Sequence, residues 1–308
     1  MYTFPHKDIL STKQFSRVDL ENIFETANEM EKYLAGTKKG KPLEGYIMAS
    51  MFYEPSTRTR LSFETAMLKL GGGVITVSEK GNSSLSKGET IEDNAKIISI
   101  YADIIVMRHP ESYSVEKTAN STTKPVINAG DGPHQHPTQA LLDMYTILKE
   151  KGRLDNLKIT IVGDLKYGRT THSLVFLLGL FDYIEFTFIS PLELMMPEKV
   201  TDFLKSKNIK YKEISNYKKG ICGADVLYVT RIQKERFTDL SEYDRIKDNY
   251  ILDLETLGDN KDITIMHPLP RVNEVKEEVT NLPNTAFFRQ AENGVPIRMA
   301  LLYLLLGK

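Results

Sequence analysis

The stretch Ile47-Met48-Ala49-Ser50-Met51-Phe52-Tyr53-Glu54-Pro55-Ser56-Thr57-Arg58-Thr59-Arg60 decides the fold, because an apolar run of strand character leads into a helix whose first turn carries hydroxyls and guanidiniums. A helix start holds unpaired backbone N–H groups and the positive end of the dipole, so a dianionic phosphate is stabilised there before any side chain helps. Ser56, Thr57 and Thr59 add hydroxyl donors, and Arg58 adds a planar fork that pairs with phosphate oxygens. Phe63, Ala66, Met67 and Leu70 recur at helical spacing, and Gly71-Gly72-Gly73 closes the run as a C-cap does. A solvated basic helix start is the plainer alternative. Pro55 and the hydroxyl residues packed around Arg58 and Arg60 match an anion site better.

Working outward, strands and helices alternate on both sides of this stretch. Ser16 as N-cap, followed by Val18, Ile23, Phe24, Ala27, Met30 and Leu34, predicts an amphipathic helix closed at Gly36. Strands are expected over 46–53, 74–78, 103–108 and 125–129, with helices over 57–70, 89–101 and 113–121 between them. A helix over 137–151, with Pro137 tolerated at its first position, leads to the turn-like Gly152-Arg153-Leu154-Asp155-Asn156 and bridges two domains. A second series follows, with strands over 158–163, 184–189, 226–230, 250–252 and 263–266 and helical patterns such as 198–205. The last helix, over 286–306, is long and apolar and is expected to fold back across the first domain. The expected class is α/β, two domains that are each a parallel β-sheet flanked by helices.

Length and composition agree. A chain of 308 residues exceeds a comfortable single core, so two domains of about 150 residues are the natural prior. Lys plus Arg total 40 against 41 for Asp plus Glu, so no global field recruits nucleic acid or a membrane surface, and anion binding must be local. The single cysteine, Cys222, excludes an internal disulfide and a multi-cysteine zinc site and fits a reducing, cytoplasmic compartment. The N-terminal residues, with Pro5, His6, Lys7 and Asp8, lack the apolar core of a signal peptide, and the apolar tail from Ala300 to Leu306 is too short to cross a bilayer.

Several motifs invite chemistry and must be weighed. Gly163-Asp164-Leu165-Lys166-Tyr167-Gly168-Arg169 lies between a strand and a helix, yet it lacks the glycine spacing of a dinucleotide fold. Its better use is Arg169, at the carboxyl end of a parallel strand where ligands of open α/β sheets collect. Gly81-Asn82-Ser83-Ser84-Leu85-Ser86-Lys87-Gly88 fails as a nucleotide P-loop on residue order and leaves a polar loop offering Ser84 and Lys87. His134-Gln135-His136-Pro137-Thr138-Gln139 suggests a metal, but the two histidines face differently on a helix and neither cysteine nor carboxylate lies within the motif. The favoured alternative is that His136 presents a ring N–H to a carbonyl oxygen, with Gln139 one turn along. Met107-Arg108-His109-Pro110 and Thr230-Arg231-Ile232-Gln233 each end a strand with a cation. His267-Pro268-Leu269-Pro270-Arg271 fixes the backbone direction after the last strand, with room for a cis bond, and can point carbonyls into a cleft.

Arg58, Arg108, Arg169 and Arg231 at strand ends, beside His136 and Gln139 and without an activated serine or cysteine, imply substrates with several negative charges. Over essentially its full length the chain resembles the catalytic chains of the aspartate carbamoyltransferase family. The resemblance is carried, in the family's order, by the segment from Phe52 to Arg60, Met107-Arg108-His109-Pro110, Asn128-Ala129-Gly130-Asp131-Gly132, His136-Pro137-Thr138-Gln139, Gly163 to Thr170, Thr230 to Arg236 and His267-Pro268-Leu269-Pro270-Arg271. It implies a carbamoyl phosphate domain over 1–135 plus 287–308 and an aspartate domain over 136–286, with no cofactor and no metal. It implies that phosphate is held by Ser56, Thr57, Arg58, Thr59 and Arg108, and that the carbamoyl group meets Thr59, Arg108, His136 and Gln139. L-Aspartate would be read by Arg169, Arg231 and Gln233, and the Leu269 carbonyl, followed by Pro270, would orient its amine. The resemblance further implies a homotrimer in which Ser84 and Lys87 enter a neighbouring subunit's site, and leaves room for a regulatory chain. The chain departs from the pattern in two places: the loop over 83–87 is one residue shorter than in some relatives, and Pro110-Glu111-Ser112-Tyr113-Ser114 lacks the usual glycine and paired alanines.

The nearest rival, ornithine carbamoyltransferase, shares the phosphate cradle but accepts a cationic side chain and usually carries cysteine where this chain has Pro268. A catalytically silent scaffold within a pyrimidine-synthesis assembly is a rival of another class, and retention of Arg58, His136 and Arg231 speaks against it. A nicotinamide-dependent oxidoreductase would need the glycine pattern that Gly163 and Gly168 do not supply.

Overall fold

The computed structural model describes residues 3–78, 88–233, 237, 240–246 and 250–307. Ser84 and Lys87, expected in a shared site, and 234–236 of the Thr230 segment lie outside the described residues. The chain divides into two compact units, Met1–Leu142 with Glu292–Lys308, and Asp143–Ala291. The division falls inside the helix Pro137–Lys151 rather than at its start.

In the first unit, helix α1 (Arg17–Leu34) starts at Ser16 with the expected cap: the Asp19 backbone N–H donates to the Ser16 hydroxyl, and the Asp19 carboxylate accepts from the Ser16 N–H. Ile23, Phe24, Ala27 and Met30 are buried as their spacing predicts, whereas Val18, in the first turn, is 51% exposed and is not part of the apolar face. Strand β1 (Ile47–Phe52), helix α2 (Thr57–Lys69), strand β2 (Gly73–Ser78), helix α3 (Ile91–Tyr101), strand β3 (Ile104–His109), helix α4 (Ser114–Asn120) and strand β4 (Val126–Asp131) follow. Among the described residues they form a four-stranded parallel sheet of order β2-β1-β3-β4. Alternate residues of β1, Ala49 and Met51, pack with Ile105, Met107, Val115 and Ala119 against α3 and α4. By the two-residue period of a strand, Met48 and Phe52 point to the opposite face.

Helix α2 is anchored at mid-length, because Glu64 accepts from the Ser50 hydroxyl at 2.9 Å and the Thr76 hydroxyl at 3.0 Å. Helix α5 (Pro137–Lys151) follows β4 with the boundaries the sequence predicts. The turn between them is wired by Asp131, fully buried, which accepts from the Asn128 amide at 2.9 Å and from the backbone N–H groups of Tyr113 and Gln135, both at 3.0 Å. Gly132, at φ 52°, lies where a Cβ would meet the Pro110 carbonyl oxygen at 2.5 Å.

The second unit carries β5 (Lys158–Val162), α6 (Arg169–Leu178), β6 (Glu185–Ile189), α7 (Glu198–Ser206), β7 (Lys210–Ile214), α8 (Tyr217–Ile221), β8 (Val226–Val229), α9 (Leu240–Ile246), α10 (Leu254–Leu257), β9 (Thr264–Met266), α11 (Glu277–Thr280) and α12 (Phe287–Glu292). Its sheet, also parallel, has the order β7-β6-β5-β8-β9. The expected strand over 250–252 is not one: Leu252 makes only an isolated bridge to Val275. The edge strand β7 was not expected from the sequence.

The expected terminal helix over 286–306 is two helices, α12 and α13 (Gly294–Leu306), interrupted at Asn293. Helix α13 does return to the first unit, packing on α1 and α2. It is apolar on nearly every side and almost wholly buried, with Arg298 the exception in chemistry but not in burial. That guanidinium donates to the Ser62 hydroxyl at 2.8 Å and lies 5.0 Å from the centre of the Phe63 ring. Among the described residues no helix is long and apolar enough to cross a membrane.

Asp131→Ala is expected to destabilise the first unit by about 3 kcal/mol or more, because it strands several buried donors at once; urea unfolding midpoints measure it.

Candidate active site

In both sheets the parallel strands bring their carboxyl ends to one edge, and the predicted functional residues follow those ends. In the first unit, Ser56 is the N-cap of α2, and its side chain makes no capping hydrogen bond, so the hydroxyl is not committed to the helix. Thr57 and Arg58 are exposed on the first turn and Thr59 is buried. Arg108 stands near the end of β3, 9% exposed, held by its Nη1 donating to the Ala129 carbonyl at 3.3 Å and by Nη2 lying 3.3 Å from Glu54. Its Nε is buried with no hydrogen-bond partner. The ends of β1 and β3 are tied directly, since Tyr53 N–H donates to the Arg108 carbonyl at 2.9 Å.

The electrostatics of this cluster favour an anion. Burial lowers the Arg108 guanidinium from its usual value, Glu54 opposes that shift, and neighbouring Arg58 adds to it. Burial also lowers Arg58. Arg108, disfavoured in its charged form by burial and by Arg58 on the first turn of α2, would be relieved by a polyanion held there. His136 is buried at the start of α5, and Gln139 is half-buried one turn along. The Asp131 turn sets the point from which both side chains project.

The second unit holds the other group of predicted residues. Gly163, at φ 118°, follows β5 where a Cβ would meet the Thr230 carbonyl oxygen at 2.2 Å, so the ends of β5 and β8 approach as only glycine allows. Asp164, fully buried, accepts from the Tyr167 N–H at 2.9 Å and from the Gln233 amide at 3.2 Å. It therefore joins the loop that leads to Arg169 with the segment that carries Arg231 and Gln233. Arg169 is the first residue of α6, and Arg231 is half-buried just beyond β8. After β9, the Leu269–Pro270 peptide is cis and Leu269 has φ 56°.

The structure thus gathers Ser56, Thr57, Arg58, Thr59, Arg108, His136 and Gln139 within one unit, and Arg169, Arg231, Gln233, Leu269 and Pro270 within the other. Sequence reasoning assigned no role to Glu54 and Asp164, the carboxylates that orient Arg108 and Gln233, although both stand inside quoted motifs. An acid placed immediately beyond an apolar strand was the available signal. Among the described residues no group of three or more His, Cys, Asp or Glu side chains could hold a metal.

Residues 7–149 match the family described as aspartate/ornithine carbamoyltransferase, carbamoyl-P binding domain, and residues 155–305 match its Asp/Orn binding domain. A relative from Leptospira biflexa, named aspartate carbamoyltransferase catalytic subunit, is 51% identical over 308 residues, covering 100% of this chain and 99% of its own. The solved catalytic subunit of Methanocaldococcus jannaschii aspartate transcarbamoylase superimposes with a TM-score of 0.92 at 49% identity, covering 98% of each chain. Aspartate transcarbamoylase from Trypanosoma cruzi, solved with carbamoyl phosphate and aspartate, gives 0.91 at 36% identity, again covering 98% of each chain.

One buried ring in the second unit generates a pH dependence. His172 of α6 donates from Nε2 to the Leu165 carbonyl at 2.7 Å, which anchors the loop before Arg169, and burial lowers its pKa to about 4. Folded, it binds fewer protons than the unfolded chain, so stability is full above the ordinary value of 6.5 and falls as pH drops toward about 4. The linked loss is on the order of 3 kcal/mol. Urea midpoints are expected to decline across that window, and His172→Gln, which keeps the donor, to flatten the decline; an unchanged slope assigns it to other groups.

Proposed function

The chain belongs to the aspartate/ornithine carbamoyltransferase family, and from that premise we propose that it transfers the carbamoyl group of carbamoyl phosphate to the amine of L-aspartate, giving N-carbamoyl-L-aspartate and phosphate. The observation that carries this reading is the Arg58–Arg108 pair beside the α2 N-terminus, complemented in the other unit by Arg169, Arg231 and an Asp164-oriented Gln233. The first set suits a phosphate, the second a dicarboxylate. Full-length likeness to aspartate carbamoyltransferases supports the choice of aspartate, as does Pro268 where ornithine enzymes usually carry cysteine.

The chemistry needs no covalent enzyme intermediate and no cofactor. The aspartate amine attacks the carbamoyl carbon, a C–N bond forms, and negative charge grows on the carbonyl oxygen, where Thr59, Arg108 and His136 supply preorganised donors. Gln139 orients the carbamoyl nitrogen. The C–O bond to phosphate then breaks, Arg58 receives the charge developing on the leaving group, and the departing phosphate accepts the amine proton. The Leu269 carbonyl, with Pro270 fixing its direction, aligns the attacking amine. Much of the rate advantage is orientation of two mutually repelling anions, worth about 7 kcal/mol or more in good intramolecular systems.

The working assembly under this proposal is a cytoplasmic homotrimer in pyrimidine synthesis. Its support is the apolar surface left on the first unit: Leu61 and Leu68 of α2, Ile75 of the edge strand β2, and Ile97, Ile100 and Tyr101 of α3 are exposed. Ser84 and Lys87 follow that edge strand in the sequence.

Purified protein is expected to form carbamoyl aspartate from carbamoyl phosphate and L-aspartate, and turnover of ornithine without aspartate would reject the assignment. Arg58→Ala is expected to lower kcat by about 100-fold or more with a much smaller change in substrate affinity, because its charge is needed as the leaving group departs. Mixing inactive Lys87→Ala and Arg58→Ala chains tests the shared site: hybrids regain activity if residues cross between copies, and inactive hybrids of demonstrated composition count against sharing.

A further inference from the structure

We propose that Asp143 is a positioning residue of the amino-acid half-site, holding on its single carboxylate both the strand that leads to Arg231 and the turn that carries Leu269. The inference rests on the reading of the second unit as the aspartate side of the reaction. Asp143 interrupts the apolar run Ala140-Leu141-Leu142-Asp143-Met144-Tyr145 and is fully buried on α5. Its Oδ2 accepts from the Tyr228 hydroxyl at 2.7 Å, and its Oδ1 accepts from the Gln290 amide nitrogen at 2.6 Å.

Each arm ends at a proposed substrate-reading group. Tyr228, fully buried on β8, lies three positions before Arg231 and also engages the Thr170 side chain, next to Arg169. Burial, together with the Asp143 carboxylate, raises this phenol well above its ordinary value, so its hydroxyl remains a donor. On the other arm, donation from Gln290 Nε2 turns Oε1 toward the His267 backbone N–H, which it accepts at 2.9 Å. His267 Nδ1 accepts from the Leu269 N–H at 2.8 Å, which places the ring proton on Nε2, donating to Glu274 at 2.7 Å. Burial would raise the Glu274 carboxyl, but the bonds from His267 and from the backbone N–H of Val272 outweigh it and hold the group low. The relay thus runs from Asp143 to the Leu269 N–H and holds the peptide that immediately precedes the cis Leu269–Pro270 peptide, the latter carrying the Leu269 carbonyl.

A buried carboxylate is a poor way to gain stability alone, since an apolar side chain of similar size costs no desolvation. What it supplies here is two strong acceptors at a fixed spacing, which an apolar residue cannot provide.

The test compares the full-length wild type with Asp143→Asn, Tyr228→Phe and Gln290→Leu, checked for folding by circular dichroism. Asp143→Asn is expected to raise KM for aspartate ~10-fold or more while KM for carbamoyl phosphate changes less than about twofold, and Tyr228→Phe to shift aspartate in the same direction by less. Binding of succinate, which is aspartate without its amine, is measured calorimetrically with inorganic phosphate present and should weaken in parallel. Folded variants with unchanged aspartate and succinate affinity, or with equal weakening toward both substrates, would overturn the proposal. If Asp143→Asn does not fold, Tyr228→Phe and Gln290→Leu decide by the same criteria. A wild type that binds succinate but makes no carbamoyl aspartate would sink the functional reading while the variants still judge the relay; a wild type that does neither sinks both.

Discussion

Parallel strand pairing is the constraint on which the rest of this molecule depends. Every described strand of a sheet ends on the same edge, so residues far apart in sequence emerge side by side without any further device. Arg58 follows β1 and Arg108 closes β3 because those strands are neighbours in register, Phe52 opposite Arg108. The same logic puts Gly163 after β5 against Thr230 after β8. Hydrogen bonding of the backbone, rather than attraction between the functional side chains, therefore concentrates positive charge that would otherwise disperse.

Charge held together against its own repulsion needs local scaffolding, and partly or fully buried acids provide it. Glu64 pins α2 to two strands, Asp131 forms the turn ahead of His136, and Asp164 ties the loop before Arg169 to Gln233. In each case a carboxylate accepts two or more bonds from hydroxyl, backbone or amide donors, so its own desolvation is offset and the supported segment is held in place. The cations proposed to read substrate are thus seated by neighbouring anions.

Much of this was legible in the chain. Hydrophobic periodicity located most strands and long helices, and the cations stood out because they end apolar runs. The supporting acids did not, since Asp131 resembles any turn residue and Asp143 any polar interruption of a helix until burial and partners are known. Strand β7, Lys210-Tyr211-Lys212-Glu213-Ile214, has no readable alternation because an edge strand with both faces largely solvated has no apolar side to show. The segment around Leu252 misled in the opposite sense: its apolar residues pack into the core of the second unit while the backbone makes only an isolated bridge. The break between α12 and α13 had a signal in Asn293-Gly294, outweighed by the apolar residues on either side.

The return of α13 to the first unit has a consequence for biogenesis. The core that surrounds α1 and α2 is completed by residues translated much later, with Arg298 meeting Ser62 across 236 positions of chain. On the ribosome, the segment translated first therefore waits with part of its apolar surface uncovered, whereas the second unit is continuous and has all its strands in hand before the final helix emerges. Vectorial synthesis gives the later unit the earlier opportunity to fold, and closure of the earlier one waits on the arrival of α13.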